Sequence, residues 1–266
     1  MSTTSLIKIV LLGMLSIVLI GTGNVARHLF DAFSDCDSVQ IRQVIGRNKK
    51  ALEYFHKTTE ITSDYNLLVD ADIYIIALSD DAINTVSELL KLSNKLVVHT
   101  SGSVTMQRLV NNRTGVFYPL QTFSKNRRIN FKQVPICIEA ENEADLAILH
   151  KLASTLSREV HEISAEQRNA LHLSAVFVNN FTNHMFTIAN EICGEHQLSF
   201  SILKPLILET TNKIADMPPF EAQTGPARRN DTGTMDKHLQ LLNSKNQKDI
   251  YSLLSESILK TYEKKL

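Results

Sequence analysis

The 266-residue sequence predicts an α/β fold, a mostly parallel sheet crossed by helices, followed by an all-α C-terminal domain. Three observations carry that reading. Short runs rich in branched apolar residues recur at Leu15–Ile20, Val39–Ile45, 73–78 and 95–99, each followed by a turn-forming Gly, Ser or Thr, as strands buried on both faces would be. The segments between them have helical spacing, which implies right-handed crossovers between parallel strands. From 165 to 193 the pattern is helical without a proline, and the remainder is helical with breaks at Pro205, Pro218-Pro219 and Gly225-Pro226. The boundary is therefore expected near Ser164, giving domains at 14–163 and 164–266, a division the chain length accommodates.

The remaining elements follow in order. Residues 25–33 place Val25, Leu29, Ala32 and Phe33 on one side of a helix. Residues 49–56 read as a second helix, Glu60–Thr62 as a brief third strand and 82–92 as a helix. After Leu109, 115–120 and 134–139 read as strands separated by a polar loop at 121–130. Glu143–Leu156 then reads as a helix and 159–162 as a short strand. Composition excludes several classes of function. The 28 Lys and Arg balance the 28 Asp and Glu, so no basic excess draws nucleic acid. Cys36, Cys137 and Cys193 are odd in number and not in metal-ligand spacing, which reads as reduced thiols of a cytoplasmic protein with no metal site. The apolar run at 6–20 is short for a membrane span. Cleaving it as a signal peptide would remove the strand that feeds Gly21. Residues 1–13 are read as an upstream extension or arm, with an extra strand or helix and a targeting segment as the alternatives.

Gly21-Thr22-Gly23-Asn24-Val25-Ala26 matches G-x-G-x-x-A between a predicted strand and a predicted helix. In that setting the first glycine permits the tight turn, the second admits a pyrophosphate to the backbone, and the small third residue lets helix and sheet pack. Free N–H groups at the helix start then face the phosphates, as in a Rossmann-like domain. A glycine turn without a ligand is the competing reading. The second strand ends at Arg47-Asn48-Lys49-Lys50 with no Asp or Glu to accept from a ribose hydroxyl. Arg47 can instead pair with a 2′-phosphate, which favours NADP over NAD. A solvated surface arginine is its bland alternative. Ligands in such sheets bind along the carboxyl ends of the strands. Ser79 is therefore expected near the ribose or phosphates, and Ser101 and Gly102 near the nicotinamide. Ser101 is equally readable as a turn serine, and His99 as a strand-end histidine.

These motifs resemble the cofactor half of pyrroline-5-carboxylate reductase and of the wider group that includes 6-phosphogluconate and β-hydroxyacid dehydrogenases. Phe117-Tyr118-Pro119-Leu120-Gln121-Thr122-Phe123-Ser124, Leu171-His172-Leu173-Ser174-Ala175, Asn180-Phe181-Thr182-Asn183-His184 and Gln223-Thr224-Gly225-Pro226-Ala227-Arg228 resemble a bacterial group that pairs a Rossmann-like domain with the helical domain of unknown function 2520. The resemblance covers nearly all of the chain from Leu15 on. It implies the two-domain fold, an NADP oxidoreductase activity and a homodimer built on the helical domains, and it names no substrate. One departure matters. The lysine that β-hydroxyacid dehydrogenases carry about four residues before an asparagine is replaced here by Ala175 and Val176, upstream of Asn179 and Asn180.

Hydride transfer needs a proton donor at the substrate heteroatom. At α-helical spacing His172, Asn179 and Asn183 share one face, with Asn180 and His184 on a neighbouring one. His172 is the first choice for general acid, against a buried, satisfied histidine. Asn180 and Asn183, with Ser101, are the candidate orienting groups, against helix packing or capping. By analogy with pyrroline-5-carboxylate reductase, Thr224 and Gly225 line a substrate pocket, and Arg228 can hold a carboxylate. A capped loop with a surface arginine is the alternative. Gln121 and Ser124 are expected to face the same cleft. The chain thus reads as an NADP(H)-dependent oxidoreductase acting on a small carbonyl or imine bound between its domains. The alternative is a non-catalytic NADP(H)-binding sensor or interaction dimer, kept open by the missing lysine.

Overall fold

A computed structural model describes residues 13–56, 58–109 and 112–263, so the reading of the upstream extension lies, but for Gly13, outside the described residues. The chain divides at Phe177/Val178 into two compact units. The first holds β1 (Leu15–Ile20), α1 (Asn24–Ser34), β2 (Val39–Ile45), α2 (Lys49–Leu52), β3 (Glu60–Thr62), β4 (Ile73–Ile76), α3 (Asp80–Leu89), β5 (Leu96–His99), β6 (Arg113–Pro119), β7 (Ile136–Ala140), α4 (Glu143–Leu156), β8 (Val160–Glu162) and α5 (Ala165–Ala175). Its eight strands run in the order β3-β2-β1-β4-β5-β6-β7-β8. All adjacent pairs are parallel except β6 and β7. The expected mostly parallel, Rossmann-like sheet is thus the one observed.

The alternation of side chains along β1 builds both faces of this sheet. Leu15, Ile17 and Leu19 point into one core with Leu29 and Phe33 of α1 and Leu149 and Leu152 of α4. Val18 and Ile20 point into the other, with Ile83 and Val86 of α3. Each such fully buried side chain contributes roughly 1.5–3 kcal/mol. Polar groups on β1, on β2 and at the start of β4 pair locally. The buried Gln43 donates to Leu67 O at 2.9 Å and to Glu60 at 3.2 Å, and accepts from Val69 N at 3.3 Å. Ser16 and Asp72 exchange backbone and side-chain hydrogen bonds of 2.6–3.1 Å where β4 begins beside β1.

Besides shifts of one to three residues at element ends, two element readings change. The helix expected over 49–56 stops at Leu52. Tight turns then set Tyr54 and Phe55 side by side against Phe30, with ring centroids 6.4 and 4.9 Å away, which a continuing helix would splay about 100° apart. The helix expected to run unbroken over 165–193 contains a π turn, Val176–Phe181, between α5 and α6 (Thr182–Glu195). A π turn closes i→i+5, so the 3.6-residue period that aligned His172 with Asn179 and Asn183 does not run through it.

The second unit is helical: α6, α7 (Lys204–Asp216), α8 (Pro219–Ala222), α9 (Thr232–Leu241) and α10 (Lys245–Glu263). Pro205 sits in the first turn of α7, where a missing N–H costs nothing. Among its described residues only Ala227, Met235 and Gln247 are buried. Large apolar side chains stand exposed instead, including Phe181, Ile202, Leu206, Leu208 and Leu253.

Candidate active site

The carboxyl ends of β1, β2, β4, β5 and β6 lie along one edge of the sheet, and the chain reverses direction across it between β1 and β4. The glycine motif occupies this point. Gly21 has φ +133°, and an added Cβ would overlap the Ala77 carbonyl oxygen just past β4, so no other residue fits without displacing backbone. Its N–H donates to Ile45 O at 2.8 Å, while Ala77 N donates to Ile20 O at 2.8 Å. Thr22 lies against Gly46 at the end of β2. Gly23 caps α1 with φ −75° and ψ −173°, a conformation any residue adopts, and a Cβ there would meet nothing within 4 Å. The fold itself therefore requires Gly21 but not Gly23.

The first turn of α1 has no acidic residue and no side-chain cap, so the N–H groups at Asn24, Val25 and Ala26 have no intrahelical partner and the helix dipole presents positive charge there. Asn24 turns its amide away, donating to Phe123 O at 3.0 Å. His28 meets Ser124 O at 3.0 Å, which ties the 121–130 loop to the same helix. Across on β2's end, Arg47 is exposed with no hydrogen bond or ion pair to another described residue. Asn48 accepts from Ala51 N at 3.1 Å and caps α2. Ser79 precedes α3, whose first turn carries Asp80 and Asp81. That helix start repels phosphate where α1 attracts it.

Toward β5 and β6 the edge becomes more enclosed. Ser101, 6% exposed, accepts from Ser103 N at 3.1 Å and Val104 N at 3.0 Å, so its hydroxyl holds its own turn. Ser103 in turn hydrogen-bonds Asp80. His172 of α5 lies over Gly102: a Cβ on that glycine would stand 2.6 Å from His172 Nδ1 and 2.9 Å from Tyr118 Cζ. Tyr118 Oη and His172 Nδ1 are 3.1 Å apart. Arg168 explains the placement. It lies one turn before His172 on the same helix face, is fully buried, pairs with Glu139 of β7 and donates to Val104 O at 2.7 Å. It anchors α5 to the sheet and to the 100–105 turn at once. His99 is also fully buried and accepts from Ser101 N at 3.2 Å through Nδ1. Burial, helped by the charge of Arg168, lowers its pKa from 6.5 to about 4, so it is neutral at pH 7.

Gln121 is exposed and accepts from Thr122 N at 2.8 Å. The other candidates belong to the second unit. Asn180 and Asn183 are exposed, Asn180 within the π turn and Asn183 on α6. Thr224 is exposed beside Gly225, which has φ +108°. Arg228 hydrogen-bonds the Gln223 and Glu221 carbonyls and sits 5.0 Å from the Tyr262 ring centroid, so it braces this turn from within. Among the described residues no group of three or more metal-binding side chains occurs. Among the same residues no helix is long and apolar enough to cross a membrane.

With this geometry established, residues 16–102 match the family described as "NADP oxidoreductase coenzyme F420-dependent", and residues 134–258 match the domain of unknown function DUF2520. A crystallised Bacteroides fragilis protein, provisionally assigned as an NADP oxidoreductase, is 40% identical, with 92% of this chain and 98% of that one covered and a TM-score of 0.85. This chain belongs to the DUF2520-bearing NADP oxidoreductase family. The fold is shared more widely. An imine reductase from Myxococcus stipitatus, in complex with NADP+, is 14% identical over 94% of this chain and 93% of its own, with TM-score 0.63. Pyrroline carboxylate reductase from Plasmodium falciparum, with NADP bound, is 15% identical over 92% and 98%, with TM-score 0.60. No curated protein matches the chain.

Within this NADP oxidoreductase, reasoning from residues alone missed the roles of Tyr118, Arg168 and Glu139. The four-residue spacing of Arg168 and His172 was visible. That the guanidinium is buried was not, because an arginine on a helix is ordinarily a surface residue.

Two outcomes test this geometry. Gly21→Ala should lower unfolding free energy by more than about 2 kcal/mol, whereas Gly23→Asp should leave it unchanged or raise it by up to about 1 kcal/mol, since aspartate caps helices well. Urea titrations of both variants decide this. His99 should make stability depend on pH. Its folded pKa lies below its unfolded one, so between pH 6.5 and 4 only the unfolded chain binds the proton. Stability is then complete above about pH 6.5 and falls on acidification, by on the order of 3 kcal/mol at pH 4. The pH dependence of urea unfolding should be correspondingly shallower in His99→Gln.

Proposed function

We propose that this chain binds NADP(H) at the 21–25 turn and Arg47 and transfers a hydride to or from a small carbonyl or imine compound. The observation that carries the reading is the start of α1. Its first-turn N–H groups have no side-chain cap and no acid beside them, Gly23 leaves open space in front of them, and an exposed arginine with no hydrogen bond or ion pair among the described residues stands one strand away. That arrangement suits a pyrophosphate at the helix and a 2′-phosphate at the guanidinium. The NADP complexes of the imine reductase and of pyrroline carboxylate reductase support the same choice of cofactor on the same fold.

Within this reading Gly21, Thr22, Gly23, Asn24 and Val25 form the phosphate turn, Asn48 orders the segment after Arg47, and Ser79 meets the ribose. Ser101 holds the turn that presents Gly102 to the nicotinamide, which when bound supplies the hydride. His172 is the source of the proton. Gln121 and, from the second unit, Asn180, Asn183, Thr224 and Gly225 are assigned to the substrate, with Arg228 setting the shape of their turn. The cofactor domain is taken as 14–163 and the substrate and dimerisation domain as 164–266, in a cytoplasmic enzyme.

We further infer a homodimer through the helical domain. A unit of this size that buries only three of its described residues lacks a core of its own, and its exposed apolar side chains need a covering surface.

Titration of NADPH fluorescence tests the cofactor reading. NADPH should bind at least about tenfold more tightly than NADH. Arg47→Ala should abolish that preference, and Gly23→Asp should weaken NADPH binding about a hundredfold by setting like charges together. No affinity for NADPH in the wild-type chain would refute the proposal, and binding without turnover of any carbonyl or imine would favour a sensor. Light scattering tests the assembly: a mass near twice 29.9 kDa and a melting temperature that rises with protein concentration are expected. A stable monomer at micromolar concentration would exclude the dimer.

A further inference from the structure

We propose that Tyr118 is the group that delivers the proton to the substrate heteroatom, and that His172 stands behind it as the positioning and reloading residue. This rests on the reductase reading above. Register places Tyr118 at the right edge: β5 and β6 are parallel with His99 opposite Val116, and two residues further on come Ser101, just past the end of β5, and Tyr118, still on β6. The absence of a side chain at Gly102 lets both rings approach the 101–103 turn, where any Cβ would strike the imidazole and the phenol together. The hydroxyl and His172 Nδ1 are within hydrogen-bond reach at 3.1 Å, with the rings edge-to-face at a 68° interplanar angle. Both residues are half-buried, so the pair is neither sealed in the core nor loose in solvent.

A phenol can accept one hydrogen bond while donating another. With His172 Nδ1–H donating to Tyr118 Oη, the hydroxyl proton remains for a substrate. Burial raises the Tyr118 pKa, which keeps it a protonated donor through the neutral range. The titratable and charged groups around the phenol are Cys137 on β7, Arg168 and His172 on α5, and Asp80 at the start of α3. Arg168 and Asp80 oppose each other in their effect on it.

The step balances as follows. The substrate C=X carbon receives hydride, two electrons and one hydrogen, from NADPH, which becomes NADP+. The π bond opens, and X takes the Tyr118 O–H proton. Tyr118 Oη takes the His172 Nδ1 proton, and the neutral imidazole regains one from water. One hydride and one solvent proton are consumed per turnover, and no phenolate accumulates. Reduction therefore needs the His172 Nδ1 proton, and removing that proton with base slows it.

The test compares the full wild-type chain with Tyr118→Phe and His172→Asn, using NADPH with a panel of a five-membered cyclic imine, a small aldehyde and a 2-oxo acid. Tyr118→Phe should lower kcat about 10²–10⁴-fold while NADPH affinity, read by fluorescence, stays within about twofold. His172→Asn, which hydrogen-bonds but does not titrate, should lose the basic limb of the kcat/KM profile. Independently of turnover, the NMR titration midpoint of the His172 ring should move in Tyr118→Phe. Turnover by the wild type that survives in Tyr118→Phe, or an unmoved His172 titration, overturns the assignment of Tyr118 alone. A wild type that binds NADPH and reduces no probe overturns the reductase reading and this proposal with it.

Discussion

The contact between the backbone at Gly21 and the Ala77 carbonyl is the constraint on which the site depends. β1 has β2 on one side and β4 on the other, and the chain must leave β1 through the narrow gap between their ends. Only a residue without a side chain, at positive φ, passes there. Once it does, α1 is forced to begin beside the switch point with its N–H groups facing outward. Everything assigned to the dinucleotide follows from that exit. Thr22 against Gly46 brings the end of β2, and hence Arg47, alongside.

A second constraint acts from the other side of the sheet. Burying an arginine is costly unless its charge is paired and its N–H groups are bonded. Arg168 meets most of that demand with Glu139 and Val104 O, leaving only Nε unpartnered. Such a pair adds little net stability over apolar packing, but it has one geometry where apolar packing has many. Here that geometry fixes the height and rotation of α5 and so where His172 lands. The same charge helps keep His99 neutral, so the floor of the site holds a buried imidazole bonded only through Nδ1 and its roof a half-exposed one.

Much of the fold was legible because its signals are local. The runs at Leu15–Ile20 and Val39–Ile45 are apolar and short, turn residues bound them, and their observed limits match the reading residue for residue. The glycine motif was legible for the same reason. What escaped depends on contacts distant in sequence. Tyr54 and Phe55 break α2's continuation to meet Phe30, more than twenty residues upstream. Tyr118 becomes interesting only when α5, more than fifty residues later, brings His172 to it. The start of α3 differs from the expected 82 for a simpler reason: Asp80 and Asp81 open it, as acids favour a helix start.

The π turn at Val176–Phe181 bears on the missing lysine. In an α-helix the neighbour one turn before Asn180 is four residues back, at Val176. In a π turn it is five residues back, at Ala175. Counting rules borrowed from dehydrogenases with a regular helix therefore slip by one position here. Neither count finds an amine: valine and alanine offer nothing that ionises. No lysine at this place in the helix therefore donates a proton in this chain, whichever way the turns are counted.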